Sequence, residues 1–149
     1  MSKNAIFIRG LNGVMDDAAA IEWAKKREFD LKIFNWQPMA PIVTYINKLR
    51  DPIDLIGFSK GAEIAYAVAQ QMPHIWFDRM ITVGAYHTVT SSFGTKRRPR
   101  LINVAKHWNF VEKFQQPEGF FNNPINIDLG DVSHFNSLKK ALGILDTLK

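Results

Sequence analysis

Ser59 is the residue of this chain with the clearest chemical prospect. It lies in Gly57-Phe58-Ser59-Lys60-Gly61, a Gly-x-Ser-x-Gly pattern that closes the apolar run from Ile53 to Ile56 and opens a helix-like segment from Lys60 to Met72. A serine on a sharp strand-to-helix turn projects its hydroxyl above the sheet, and glycines two before and two after leave room for the bend. In a chain with 9 Gly among 149 residues, the pattern would arise by chance about 2% of the time. Phosphate binding at the helix start is a competing chemistry, but the Gly-x-x-x-x-Gly-Lys-Ser/Thr loop is missing. A plain glycine turn between strand and helix is the third reading.

A serine hydroxyl is a weak nucleophile near neutral pH. It needs a base for its proton and a third group to hold that base. Four histidines are available. His74 follows Pro73 at the far end of the elbow helix, away from the serine. His87, His107 and His134 each come after a strand-like run and so fall on the serine's rim.

Those side chains need elements to position them. Ala5 to Ile8 reads as a short, doubly buried strand. Asp16 or Asp17 then caps a helix running to about Lys26. Leu31 to Trp36 is a second strand, and a helix follows Pro41, a residue suited to a first turn. Ile53 to Ile56 leads into the elbow helix, whose Ala62, Ala65 and Ala69 allow close packing. Met80 to Ala85 and Leu101 to Ala105 are further strands, with His107 to Val111 expected just past the second. Ile125 to Leu129 is a short last strand. The closing helix carries Leu138, Ala141, Leu142, Leu145 and Leu148 in one stripe. Strands alternating with helices give an α/β class: three α/β/α layers around a mostly parallel sheet of about six strands, as one domain over residues 1–149. Ligands of such sheets bind beyond the carboxyl ends of the strands.

The totals exclude several alternatives. With no cysteine there is neither disulfide nor thiolate chemistry, which fits a reducing compartment. The N-terminus lacks the pattern of a secretory signal and no apolar run is long enough to cross a bilayer, so the cytoplasm is the default location and no membrane partner is expected. A paired-histidine metal motif and a dinucleotide fingerprint are both missing, so no metal or cofactor is expected. The net charge of +5 and pI near 9.6 raise the question of a polyanion. Most basic residues are interspersed with acidic ones, and only Lys96, Arg97, Arg98 and Arg100 cluster. Phe93 is the one aromatic near them, so nucleic acid is not the expected partner. Oligomeric state is left open.

The elbow, the late His134 and the loop Gly10-Leu11-Asn12-Gly13 together resemble the α/β-hydrolase superfamily, at near-minimal length and without a cap domain. That resemblance implies a serine hydrolase acting on an ester, thioester or related acyl bond of a small molecule. His134, last in chain order, would be the general base. The acid is implied in the turn after the penultimate strand, where Asn109 is nearest in position and Glu112 is the nearest carboxylate; Asp131 is a third candidate. The Lys60 N–H and the Leu11 N–H would form the oxyanion hole, with Arg9 standing where the family often has a histidine. The Lys60 side chain is expected to be solvated. Asn12, Phe58, Tyr86, His87 and Phe93 are the expected substrate contacts. Two alternatives stand beside this: a non-catalytic binding protein on the same fold, in which Asn109 marks a lost acid, and a polyanion-binding protein using the basic loop Lys96 to Arg100.

Overall fold

The computed structural model describes residues 3–11, 13–50, 52–85, 99–113 and 121–148. Six strands form one sheet: β1 (Asn4–Ile8), β2 (Asp30–Phe34), β3 (Ile53–Phe58), β4 (Phe77–Val83), β5 (Val104–Val111) and β6 (Ile125–Asp128). Their order is β2-β1-β3-β4-β5-β6, and every pairing is parallel. Among the described residues, helices α1 (Asp17–Lys26), α2 (Ala40–Ile46) and α3 (Lys60–Gln71) lie between the first four strands, and α4 (His134–Leu145) follows β6. A 3₁₀ turn, Gly13–Asp16, precedes α1.

Alternation along the strands divides the core in two. Ala5, Phe7, Ile56, Phe58, Ile81, Val83, Trp108 and Phe110 face α1 and α4. Ile6, Ile8, Leu55 and Met80 face α2 and α3. Both faces are therefore covered, which is why β1 and β3 are buried along their whole length rather than on alternate residues; β3 carries one buried charge, Asp54, paired with Arg79 and Lys3. Pro41 lies in the first turn of α2.

One strand departs from expectation. β5 runs over Val104–Val111 instead of Leu101 to Ala105, so His107 and Asn109 lie within the sheet and not beyond its edge. The apolar signal fails there because the two residues facing α3 are polar: Thr82, across the sheet, bonds His107 Nε2 and Asn109 Oδ1, while His107 Nδ1 is buried with no hydrogen-bond partner among the described residues. Trp108 and Phe110, on the other face, supply the burial that holds the strand in place.

Candidate active site

The elbow is built by close approach. A methyl on Gly57 would lie 2.4 Å from the Gly61 carbonyl oxygen, and one on Gly61 only 2.1 Å from the Ile8 carbonyl oxygen. Any side chain at either position would push α3 away from the ends of β1 and β3. Ser59 itself has φ 57° and ψ −119°, a left-handed setting that a non-glycine residue keeps only where its surroundings enforce it. Its N–H donates to the Val83 carbonyl (2.8 Å). The serine is 5% exposed.

The loop after β1 runs alongside: a methyl on Gly10 would stand 2.9 Å from Ser59 Cβ and 3.4 Å from its Oγ. Arg9, just before it, is fixed by Asp17 (2.9 and 2.5 Å) and Asn35 (2.9 Å). The guanidinium thus ties the end of β1 to α1 and to the residue after β2.

His134 opens α4, and its ring stacks on Phe58 with centroids 4.8 Å apart and planes at 24°. Phe58 adjoins Ser59, and Gly84 follows the Val83 that binds the Ser59 N–H. A methyl at Gly84 would come within 3.1 Å of His134 Cε1 and 2.8 Å of Glu112 Oε2. Serine and imidazole therefore both lie against the end of β4. His134 Nδ1 is 2.6 Å from Glu112 Oε2. Burial pushes the Glu112 carboxyl up, but hydrogen bonds from His134 and Ser137 and the charge of His134 outweigh it, so the pKa lies below its ordinary value. An ionised Glu112 only accepts, so Nδ1 carries the proton and Nε2 keeps its lone pair. Ser137 Oγ is also 2.8 Å from the His134 carbonyl oxygen.

Asn109 is engaged elsewhere. Its Oδ1 accepts from Thr82 (2.9 Å) and its Nδ2 donates to Asn126 (2.9 Å). Since the Thr82 proton goes to Asn109, His107 Nε2–H donates to Thr82 Oγ1 (2.7 Å). His107 lies between Tyr66 and Phe121, and burial lowers its pKa to about 3. It is a neutral core residue. Asp131 is 90% exposed in its side chain and stands 3.9 Å from Lys113.

Lys60 follows the serine as the first residue of α3, where a backbone N–H has no intrahelical acceptor. Its side chain is not solvated as expected: it is 10% exposed, with the ammonium 3.5 Å from the buried Glu63 and 5.8 Å from the Trp36 ring centre. Leu11 lies in the loop beside Ser59, with its side chain largely exposed. Phe58, expected to touch substrate, is 1% exposed and belongs to the core beneath His134. Asn12, Tyr86, His87, Phe93 and the cluster Lys96, Arg97 and Arg98 lie outside the described residues, while Arg100 is exposed. Among the described residues no group of three or more His, Asp or Glu side chains could hold a metal ion, and no helix is long and apolar enough to cross a membrane.

Two residues beside the pair escape sequence reasoning. Gly84 has φ +60° and no room for a Cβ; a single glycine ending a strand was its only sign. Ser137 supports Glu112 from within α4, one turn after His134, a spacing with no meaning until the acid is located.

No family model matches the sequence, and no curated protein matches it. Solved structures do resemble it in shape. The type II thioesterase YbtT of the yersiniabactin NRPS/PKS pathway superposes with a TM-score of 0.64 at 11% identity, over 98% of this chain and 91% of that one. BorB, the type II thioesterase of the borrelidin cluster, gives 0.64 at 11% identity over 99% and 92%. SrfTE, the thioesterase domain that cyclises the lipopeptide surfactin, gives 0.63 at 14% over 98% and 91%. At such identities the likeness speaks for architecture alone: with its six-stranded parallel sheet clasped between two pairs of helices, this chain has the α/β-hydrolase fold.

Proposed function

We propose that the protein is a serine hydrolase that cleaves an ester, thioester or related acyl bond through an acyl-enzyme on Ser59. The observation that carries this reading is the 2.6 Å bond between Glu112 and His134 Nδ1, beside a serine in strained elbow geometry. His134 Nε2 takes the hydroxyl proton as Oγ attacks the acyl carbonyl, and returns it to the leaving group. Glu112 holds the imidazole tautomer and stabilises the imidazolium. The Lys60 and Leu11 N–H groups receive the developing oxyanion. Water then enters, deprotonated by His134, and releases the acid.

Thioesterase neighbours favour a small acyl substrate, thioesters among them. The alternative of a non-catalytic protein rested on Asn109 as a lost acid, and a carboxylate on the imidazole removes that motive. A fluorophosphonate probe is expected to label Ser59 in the wild type and leave Ser59→Ala untouched, with turnover of short acyl thioesters or esters lost in parallel. An intact protein that ignores both the probe and a panel of such substrates overturns the reading.

A further inference from the structure

His107 is a buried polar group that the acyl chemistry leaves unused. Its Nε2–H is committed to Thr82 Oγ1 (2.7 Å). Nδ1 therefore carries the lone pair, and it is buried with no hydrogen-bond partner among the described residues. A buried acceptor left unpaired costs about as much as a lost hydrogen bond, so this position calls for a donor that the strands around it do not supply. Space for one lies alongside. His107 borders a cavity of about 180 Å³ that Arg100, Asn122 and Asn123 also line.

The walls of that cavity are braced. Tyr66, on α3, donates its hydroxyl to the Pro99 carbonyl (2.6 Å) and accepts from the Asn122 N–H (3.3 Å). One phenol thus ties together the two segments that flank the space. Phe121 meets the imidazole edge-on with centroids 4.9 Å apart and packs on Tyr66 at 5.1 Å, so the His107 ring is held between two aromatic neighbours. The cavity is separate from the candidate active site. His107 pairs with Met80, whereas Phe58, beside Ser59, pairs with Val83. That difference along β4 is about 10 Å of strand, and neither Ser59 nor His134 borders the cavity.

The lining selects a ligand class. Neutral His107 accepts at Nδ1 and cannot donate there, so a ligand must bring an O–H or N–H to it. Arg100 is exposed and permanently charged, which favours an anion at the ligand's other end. The second cation, Lys106, lies 5.7 Å from the centre of the Trp108 ring, so Arg100 is the one the ligand depends on. Leu101, Val104 and Ile125 give the space between an apolar wall. An ammonium as donor would bury a second charge against a lining that has no acidic residue, while a hydroxyl buries none. A cavity of about 150 Å³ admits one benzene ring, so this one suits a ligand of roughly six to ten heavy atoms.

We propose that this cavity is a binding site for a small hydroxycarboxylate, its hydroxyl donating to His107 Nδ1 and its carboxylate facing Arg100. The inference stands apart from the hydrolase reading, since it uses no residue of the candidate active site.

The test uses the full chain with 3-hydroxybutyrate and with butyrate, which lacks the hydroxyl. 3-Hydroxybutyrate is expected to bind in the millimolar range or more tightly, and to move the His107 Nδ1 resonance upfield in ¹⁵N NMR as that nitrogen gains a donor. Butyrate should bind about tenfold more weakly. Arg100→Gln, a substitution at an exposed position, should weaken 3-hydroxybutyrate binding about tenfold, and Ser59→Ala should leave it unchanged. A His107 resonance that stays fixed at millimolar 3-hydroxybutyrate would mean that the cavity takes only water, and overturns the proposal. Equal affinities for the two acids, or for wild type and Arg100→Gln, overturn it as well. Binding lost in Ser59→Ala would assign the acid to the nucleophile's site and does the same. None of these readouts needs turnover, so a protein unreactive to fluorophosphonate refutes the hydrolase reading separately.

Discussion

On the proposed hydrolase reading, the chemistry depends on charge at position 112 and not at position 109. Glu112 gives His134 an ionised acceptor at 2.6 Å, a charge-assisted bond that both orients the ring and favours its protonated form. Asn109 spends both ends of its amide on Thr82 and Asn126. Glu112→Gln is therefore expected to lower kcat/KM by roughly 10²–10⁴-fold and also to lower the thermal midpoint at neutral pH, where the ionised carboxylate contributes stability. Asn109→Ala should lose stability while Ser59 still reacts with a fluorophosphonate. Steady-state kinetics and thermal melts on the two variants separate these outcomes; equal rate losses would mean that the acid has been misplaced. Position in the chain could not make this choice, because Asn109 and Glu112 straddle the end of one strand. Where the strand stopped decided which of them reached the imidazole.

Among the elements, the polar ladder across β4, β5 and β6 has the most to say. His107, Thr82, Asn109 and Asn126 pass hydrogen bonds in a single direction, on strands whose opposite face buries Ile81, Val83, Trp108 and Phe110. Thr82→Val keeps the shape and removes the link. It leaves the His107 N–H and the Asn109 carbonyl without a mutual partner, each costing about 1–3 kcal/mol. Urea denaturation should record that loss, and Thr82→Ser should recover most of it; a change below about 0.5 kcal/mol would mean that the ladder is not cooperative. The same ladder explains which elements were legible. The elbow helix and β1 announce themselves through small residues and a nearly unbroken apolar run. β5 does not, because half its inward residues are polar and their partners lie 25 or more positions away. Lys60 misleads for a related reason: a lysine after the serine reads as solvated until Trp36 and Glu63 are brought over it.

For the molecule as a whole, acid is the condition that should expose its construction. His107 is held neutral with a pKa near 3, against an ordinary value of 6.5. Between those values the unfolded chain binds the proton and the native one does not, so stability rises with pH through the window and is lost as pH falls. Glu112 acts in the same sense lower down: its depressed pKa contributes stability above the ordinary value of 4.5 that disappears as pH drops through the folded value. The urea midpoint is expected to fall steadily from pH 7 to pH 5, where most carboxylates remain ionised, and the slope should be shallower in His107→Gln. Identical slopes would show that the buried imidazole is protonated without penalty. The same burial separates the roles of the histidines: one is walled into the sheet, and another stands at the rim with a carboxylate.

The near-parallel stack of Phe58 on His134 has a practical outcome. A benzene ring lying flat against an imidazole shields its carbon-bound protons magnetically, displacing their resonances upfield of those from a solvent-facing histidine. His134 thereby carries a built-in spectroscopic label. Any movement of α4 away from β3 would be visible as the return of that signal toward its ordinary frequency.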